Sequence, residues 1–101
     1  MLRIYGVMLE CVRELRPVLE EIGRKDRDLG RQMRRSLASM VLNTGEGMGS
    51  SGGTRRERYR NALGSARETR SAIEFAEAMG YVKPRPSQLP LIVNTLYNLT
   101  R

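Results

Sequence analysis

Histidine and tryptophan are absent from this 101-residue chain, and cysteine and phenylalanine occur once each, at Cys11 and Phe75. Without histidine there is no histidine-based triad or general base and none of the usual zinc sites, and a lone cysteine excludes an intrachain disulfide. Cys11 itself reads as a small buried apolar side chain. Long hydrophobic runs are also missing. The longest charge-free stretch, residues 86–100, holds two prolines together with Ser, Gln, Asn and Thr, too short and too polar to span a bilayer. Residues 1–10 carry Arg3 and Glu10 and no cleavage-site pattern, so neither an export signal nor a membrane partner is expected, and the expected compartment is the cytoplasm. Negative charge is scarce: 11 Asp+Glu stand against 18 Lys+Arg, a net charge of +7 with a pI near 10.5. With 40% apolar and 29% charged residues and a mean hydropathy of -0.47, the chain builds a modest core. One compact domain over residues 1–101 is expected, and a two-domain enzyme is excluded.

What is present is helical periodicity. At about 100° per residue, Tyr5, Met8, Val12, Leu15, Leu19 and Ile22 share one side of a first helix over residues 2–22, opposite Arg3, Glu10, Arg13 and Glu20. Pro17 predicts a kink or a fresh start there, and Gly23 an end followed by a solvated turn over 24–28. A second helix over 29–47 gathers Leu29, Met33, Leu37, Met40, Val41 and Thr44. Beside them runs a stripe of Gln32, Ser36, Ser39, Asn43 and Glu46. It reads either as wet surface or as a close approach to another helix with hydrogen bonds across it.

Five glycines within residues 45–53 predict a break, because so much backbone entropy opposes a helix. Thr54-Arg55-Arg56-Glu57 then matches a capping box and places the start of a third helix. Its face of Tyr59, Ala62, Ala66, Thr69, Ile73 and Ala76 is poor in bulk, so a neighbouring helix should lie close; Gly80 ends it. Residues 81–86 form a connector stiffened by Pro84 and Pro86. Ser87 can cap a fourth helix, with Pro90 in its first turn. There Leu89, Ile92, Val93, Leu96 and Tyr97 make a core face, while Leu91, Asn94, Thr95 and Asn98 make an uncharged second face. That second face suits burial against another chain, and it equally suits a bland monomer surface. Four amphipathic helices with short connections read as an all-α, antiparallel up-down four-helix bundle.

The ordered set Gln32-Met33-Arg34-Arg35, Ser39-Met40, Asn43, Glu46-Gly47, then Ala62-Leu63-Gly64-Ser65, Glu68 and Met79-Gly80-Tyr81 resembles the four-helix bundle family named after the 23S rRNA intervening-sequence protein. The resemblance covers residues 29–81. Members read like Q-L-R-R-x-x-x-S-I-P-x-N-I-A-E-G and A-x-G-S-x-x-E. Val41 stands here where the family often has proline, Gly45 replaces the alanine, and residues 48–53 are richer in glycine. The resemblance marks Gln32, Ser39, Asn43, Glu46, Gly47, Gly64, Ser65 and Glu68 as structural motif positions. It implies a ring-shaped homo-oligomer, a pentamer, without enzymatic activity or cofactor. More distant relatives by fold include the accessory variability proteins of diversity-generating retroelements, which bind a reverse transcriptase and nucleic acid; a likeness of fold alone transfers function poorly.

Sixteen of the eighteen basic residues are arginine, whose planar fork suits phosphate oxygens. Arg56, Arg60, Arg67 and Arg70 lie within roughly 80° on the third helix, and Arg31, Arg34, Arg35 and Arg55 extend the set. The bland alternative is that pairs such as Arg70 and Glu74 merely solubilise the helix. Against it, the window 55–70 holds six arginines but only Glu57 and Glu68. With one Phe, four Tyr and no Trp there are few stacking platforms, so any RNA or DNA binding should be backbone-led and salt-dependent. A protein-interaction module whose basic face docks an acidic partner, such as a reverse transcriptase, is the second reading. A carboxylate hydrolase using Glu46 and Glu68 is a third. Both carboxylates are instead expected to be buried or half-buried and to hold helix ends, Glu46 near Asn43 and an arginine, Glu68 across to the second helix. The glycine run lacks the Lys-Ser/Thr of a phosphate-binding loop and reads as a flexible corner. No metal site is expected.

Overall fold

A computed structural model describes residues 2–101, which form four helices: α1 (Arg3–Lys25), α2 (Arg27–Met48), α3 (Gly52–Ala78) and α4 (Leu89–Thr100), with no strand among the described residues. Each helix packs on its neighbour in the chain, and α4 returns to α1. One core joins them. Its centre holds Met8, Cys11 and Ile22 of α1, Met33 and Met40 of α2, and Ile92 and Leu96 of α4, all fully out of water. The α3 face of Ala62, Ala66, Ala72 and Ala76 supplies little bulk, which lets its neighbours approach.

On α1 the buried stripe is Ile4, Met8, Cys11, Leu15, Val18 and Ile22, and the expected Tyr5, Val12 and Leu19 flank it half-buried. Alternating steps of four and three keep the stripe narrow. Pro17 causes no restart: α1 runs through it. Pro17 and Arg13, whose carbonyl loses its helical donor, both lie on the exposed side, where water can serve that carbonyl.

Gly23 does not end α1. A Cβ on Gly30 would lie 2.6 Å from the Gly23 Cα, so these two glycines mark where α1 and α2 touch backbone to backbone. The expected turn over 24–28 shrinks to one residue, Asp26. Its amide donates to the Ile22 carbonyl at 2.7 Å and its Oδ1 accepts from the Leu29 amide at 3.0 Å, closing one helix and opening the next. The Tyr81 hydroxyl donates to Asp26 Oδ2 at 3.3 Å, and Lys25 Nζ donates to the Tyr81 carbonyl at 2.6 Å. The corner is thereby fastened to the α3–α4 connector.

The glycine-rich corner is shorter than expected as well. Gly45 and Gly47 remain helical; a Cβ on the first would lie 3.6 Å from the Tyr5 ring, and one on the second would run into the Tyr59 ring. Gly52, with φ +59, turns the chain, and α3 begins there, two residues before Thr54. The capping box therefore does not form. Thr54 is exposed inside α3, and Glu57 pairs with Arg60 at 3.9 Å. Arg55 serves the other side of the corner: its Nε donates to the carbonyls of Gly47, in the last turn of α2, at 3.2 Å and of Ser50 at 2.8 Å. Gly80, with φ +76, ends α3 as expected, and the Leu89 amide donates to Ser87 Oγ at 3.2 Å at the start of α4.

Candidate functional site

Two surfaces carry the residues singled out above: the α2–α3 seam, with the motif positions, and the arginine-bearing flanks. In the seam, Ser36 and Thr69 hydroxyls meet at 2.6 Å, and Ser65 Oγ donates to Ser39 Oγ at 2.7 Å. Each hydroxyl carries one proton, so one donates across the pair while the other donates within its own helix, Thr69 to the Ser65 carbonyl at 3.0 Å or Ser36 to the Met33 carbonyl at 3.0 Å. Small polar side chains at successive turns let two helices close on each other with their hydroxyls satisfied. The stripe is thus a helix contact over Ser36 and Ser39. Asn43 does not hold Glu46; its amide donates to the Ser39 carbonyl at 2.9 Å and Ser39 Oγ at 3.0 Å.

Glu46 finds an arginine, Arg58, at 3.1 Å, yet it is exposed, and so is Glu68. The expectation of buried motif carboxylates is overturned because both positions fall on the rim of the seam. Glu68 shares a hollow of about 340 Å³ with Gln32 and Phe75, without a hydrogen bond to either. Gly47 is filled over by the Tyr59 ring, whereas a Cβ on Gly64 would meet nothing within 4 Å.

The arginines divide among several places. Arg67 and Arg70 open onto a hollow of about 390 Å³ between α3 and α4, lined also by Asn94 and by Tyr97, which is 45% exposed. Tyr97, expected in the core, stands at its edge, with Arg101 5.9 Å over its ring. Arg55 and Arg56 line a smaller hollow with Tyr59 and Leu99 at the other end of α3. Arg31 and Arg34 belong elsewhere, in a groove between α1 and α2. Arg35 is exposed on α2. Among the described residues, Arg34, Arg35, Arg56, Arg67 and Arg70 have no carboxylate within ion-pair distance, so the Arg70–Glu74 pair does not form.

Leu91, Asn94 and Asn98 are exposed and Thr95 is half-buried; Leu91 and Leu99 leave apolar surface on α4. Burial pushes the Cys11 thiol up to about 11, with Glu14 adding to the effect. No three metal-ligating side chains converge among the described residues, and no described helix is long and apolar enough to cross a membrane. Sequence reasoning missed Arg16, Arg24 and Arg27, which join Arg31 and Arg34 in the α1–α2 groove. The Gly23-to-Gly30 interval was the only local signal, and it reads equally well as a turn.

The family model described as 23S rRNA-intervening sequence protein matches residues 2–95 of the chain. Neither curated proteins nor solved structures yield a match.

Proposed function

The chain belongs to the 23S rRNA-intervening sequence protein family, and from that premise we propose a non-enzymatic, cytoplasmic accessory protein that holds nucleic-acid backbone on the flank of α3. The observation that carries this reading is the unpaired state of Arg56, Arg67 and Arg70, two of which share a hollow with Asn94 and Tyr97. Guanidinium forks without carboxylate partners are ready donors to phosphate oxygens, and the one ring at that hollow, Tyr97, adds little base discrimination. Arg55 and Arg60 extend this flank, while Arg31, Arg34 and Arg35 of α2 carry the rest of the basic set away from it. The test is binding to structured RNA and to duplex DNA over a salt series, beside Arg56→Glu/Arg60→Glu/Arg67→Glu. Binding should weaken by roughly 0.7 to 0.9 log units per neutralised phosphate for each log unit of salt, and the variant should lose duplex binding. Absence of binding at low salt refutes it.

A second reading, docking to an acidic protein such as a reverse transcriptase, is favoured by the apolar Leu91 and Leu99 exposed on α4. It expects the variant to lose the protein partner while RNA is ignored by both forms. The helices are read as an antiparallel up-down bundle, and the subunits as a ring, a pentamer on the family resemblance, with Leu91, Asn94, Thr95 and Asn98 between neighbours. Leu91→Lys with Asn98→Glu should then give a monomer in light scattering; an unchanged mass removes the interface. Catalysis is disfavoured by the engagement of Glu46 with Arg58. A turnover abolished by Glu46→Gln or Glu68→Gln, with the fold intact, would reverse that judgement.

A further inference from the structure

The α1–α2 seam carries a basic surface that the α3 flank does not explain. A groove of about 710 Å³ runs along it, walled by Arg16 and Arg24 of α1 and by Arg27, Arg31 and Arg34 of α2. Gly23 and Gly30 lie beneath. Their helices touch there with no side chain between them, and a Cβ on Gly23 would meet nothing within 4 Å, so the hollow above stays open.

The charge in this groove is poorly compensated. Glu20 is the one carboxylate in its lining, held by Arg16 at 3.5 Å, and Arg31 reaches Asp28 at 4.0 Å. Arg24, Arg27 and Arg34 have no carboxylate within ion-pair distance. Like charges brought onto two facing walls raise the local potential and favour an anion that can touch both. Arg16 and Arg24 stand about 12 Å apart along the axis at 1.5 Å per residue. That length matches about three stacked nucleotides of one strand at roughly 3.4 Å each. A groove with donors on both sides grips a single line of phosphates, whereas a duplex presents its convex outside to one wall at a time.

The position matters as much as the charge. Since α1 packs on α2 and α4, and α3 on the same two helices, the α1–α2 seam lies across the molecule from the α3–α4 hollow. The short dimensions of the molecule are 23 and 20 Å. The three or so nucleotides that span the groove therefore do not also reach Arg67 and Arg70.

We propose that the α1–α2 groove is a second backbone site, taking a single strand of nucleic acid by its phosphates independently of the α3 flank; this rests on reading the chain as a nucleic-acid-associated protein. The test titrates the full chain with a short labelled single-stranded RNA, and separately with inorganic polyphosphate, across a salt series. Two variants accompany the wild type: Arg24→Gln/Arg27→Gln/Arg34→Gln in the groove and Arg56→Gln/Arg67→Gln/Arg70→Gln on α3. None of the three groove arginines makes an ion pair within the protein, so the groove variant should keep the wild-type melting curve.

The wild type should bind two strands per protomer and each variant one. The strand lost from the groove variant should be one whose wild-type log–log salt slope includes about 2 from three phosphates at roughly 0.7 each, and lysines at the same positions should restore it. A groove variant with wild-type stoichiometry and slope, beside an α3 variant that no longer binds, overturns the groove and leaves the α3 reading standing. Loss confined to the groove variant does the reverse. Binding of polyphosphate but not RNA overturns the strand as occupant, and no binding of either at low salt overturns both sites.

Discussion

Gly23 and Gly30 face each other across α1 and α2, yet they should answer oppositely to the same substitution. In a helix interior, alanine is favoured over glycine by about 0.5 to 1 kcal/mol, so both changes begin with that gain. At Gly23 the added methyl points into the open groove and meets nothing within 4 Å. At Gly30 it would lie 2.6 Å from the Gly23 Cα and 3.1 Å from the Gly23 amide nitrogen. Those are backbone atoms of a continuous helix and cannot swing aside, so α1 and α2 must separate. Overpacking of this kind costs about 1 to 3 kcal/mol, and with only backbone to yield the upper part of that range applies. The balance is a gain of about 0.5 to 1 kcal/mol for Gly23→Ala and a loss of about 1 to 2 kcal/mol for Gly30→Ala. For a domain near this size each kcal/mol moves the melting midpoint by roughly 4 °C or more. Urea unfolding followed by circular dichroism at one fixed protein concentration measures both variants and the slope together. Gly30→Ala as stable as the wild type, with an unchanged slope, would refute the close contact.

Gly64 is exposed in mid-helix with open space around it, so Gly64→Ala should raise stability by about 0.5 to 1 kcal/mol in the same assay. Ser36→Ala removes one partner of a buried hydroxyl pair and should cost about 1 kcal/mol. Ser36→Ala with Thr69→Val removes both partners and should cost less than the sum of the single changes, a coupling that a double-mutant cycle reads directly. Asp26→Ala loses the N-cap of α2 and the Tyr81 contact and should destabilise by about 1 to 2 kcal/mol by denaturant titration. The Cys11 thiol, raised from 9.0 to about 11 in the folded chain, should resist alkylation at pH 8 until the protein unfolds. Its contribution to stability is complete below about pH 9 and is lost as the pH rises through 11, so the difference between wild type and Cys11→Ala should shift in that window.

The helices were legible because their signal is local. Apolar spacing on one strand of sequence is enough to place Met33, Met40, Ile92 and Leu96 in a core, and the small face of α3 announced a close neighbour. The errors gather at glycine. Gly23 read as a stop and the run 45–53 as one long break, since propensity counts the entropy glycine loses, whereas α1 continues to Lys25 and only residues 49–51 separate α2 from α3. The capping box failed for a related reason: a left-handed Gly52 starts α3 early, which leaves Thr54 inside the helix and away from its N-cap.

The same division runs through the basic surface. Residues 56, 60, 67 and 70 share a flank by the period of one helix, so their grouping follows from sequence alone, as do the net charge of +7 and the absence of histidine chemistry. Which arginines lie together across two helices, and which have carboxylates to pair with, depends on how α1 sits against α2 and α3 against α4. That alignment is set by contacts between helices, such as the Gly23–Gly30 approach of α1 to α2, because interhelical distance and register are properties of packed pairs and no single helix carries them.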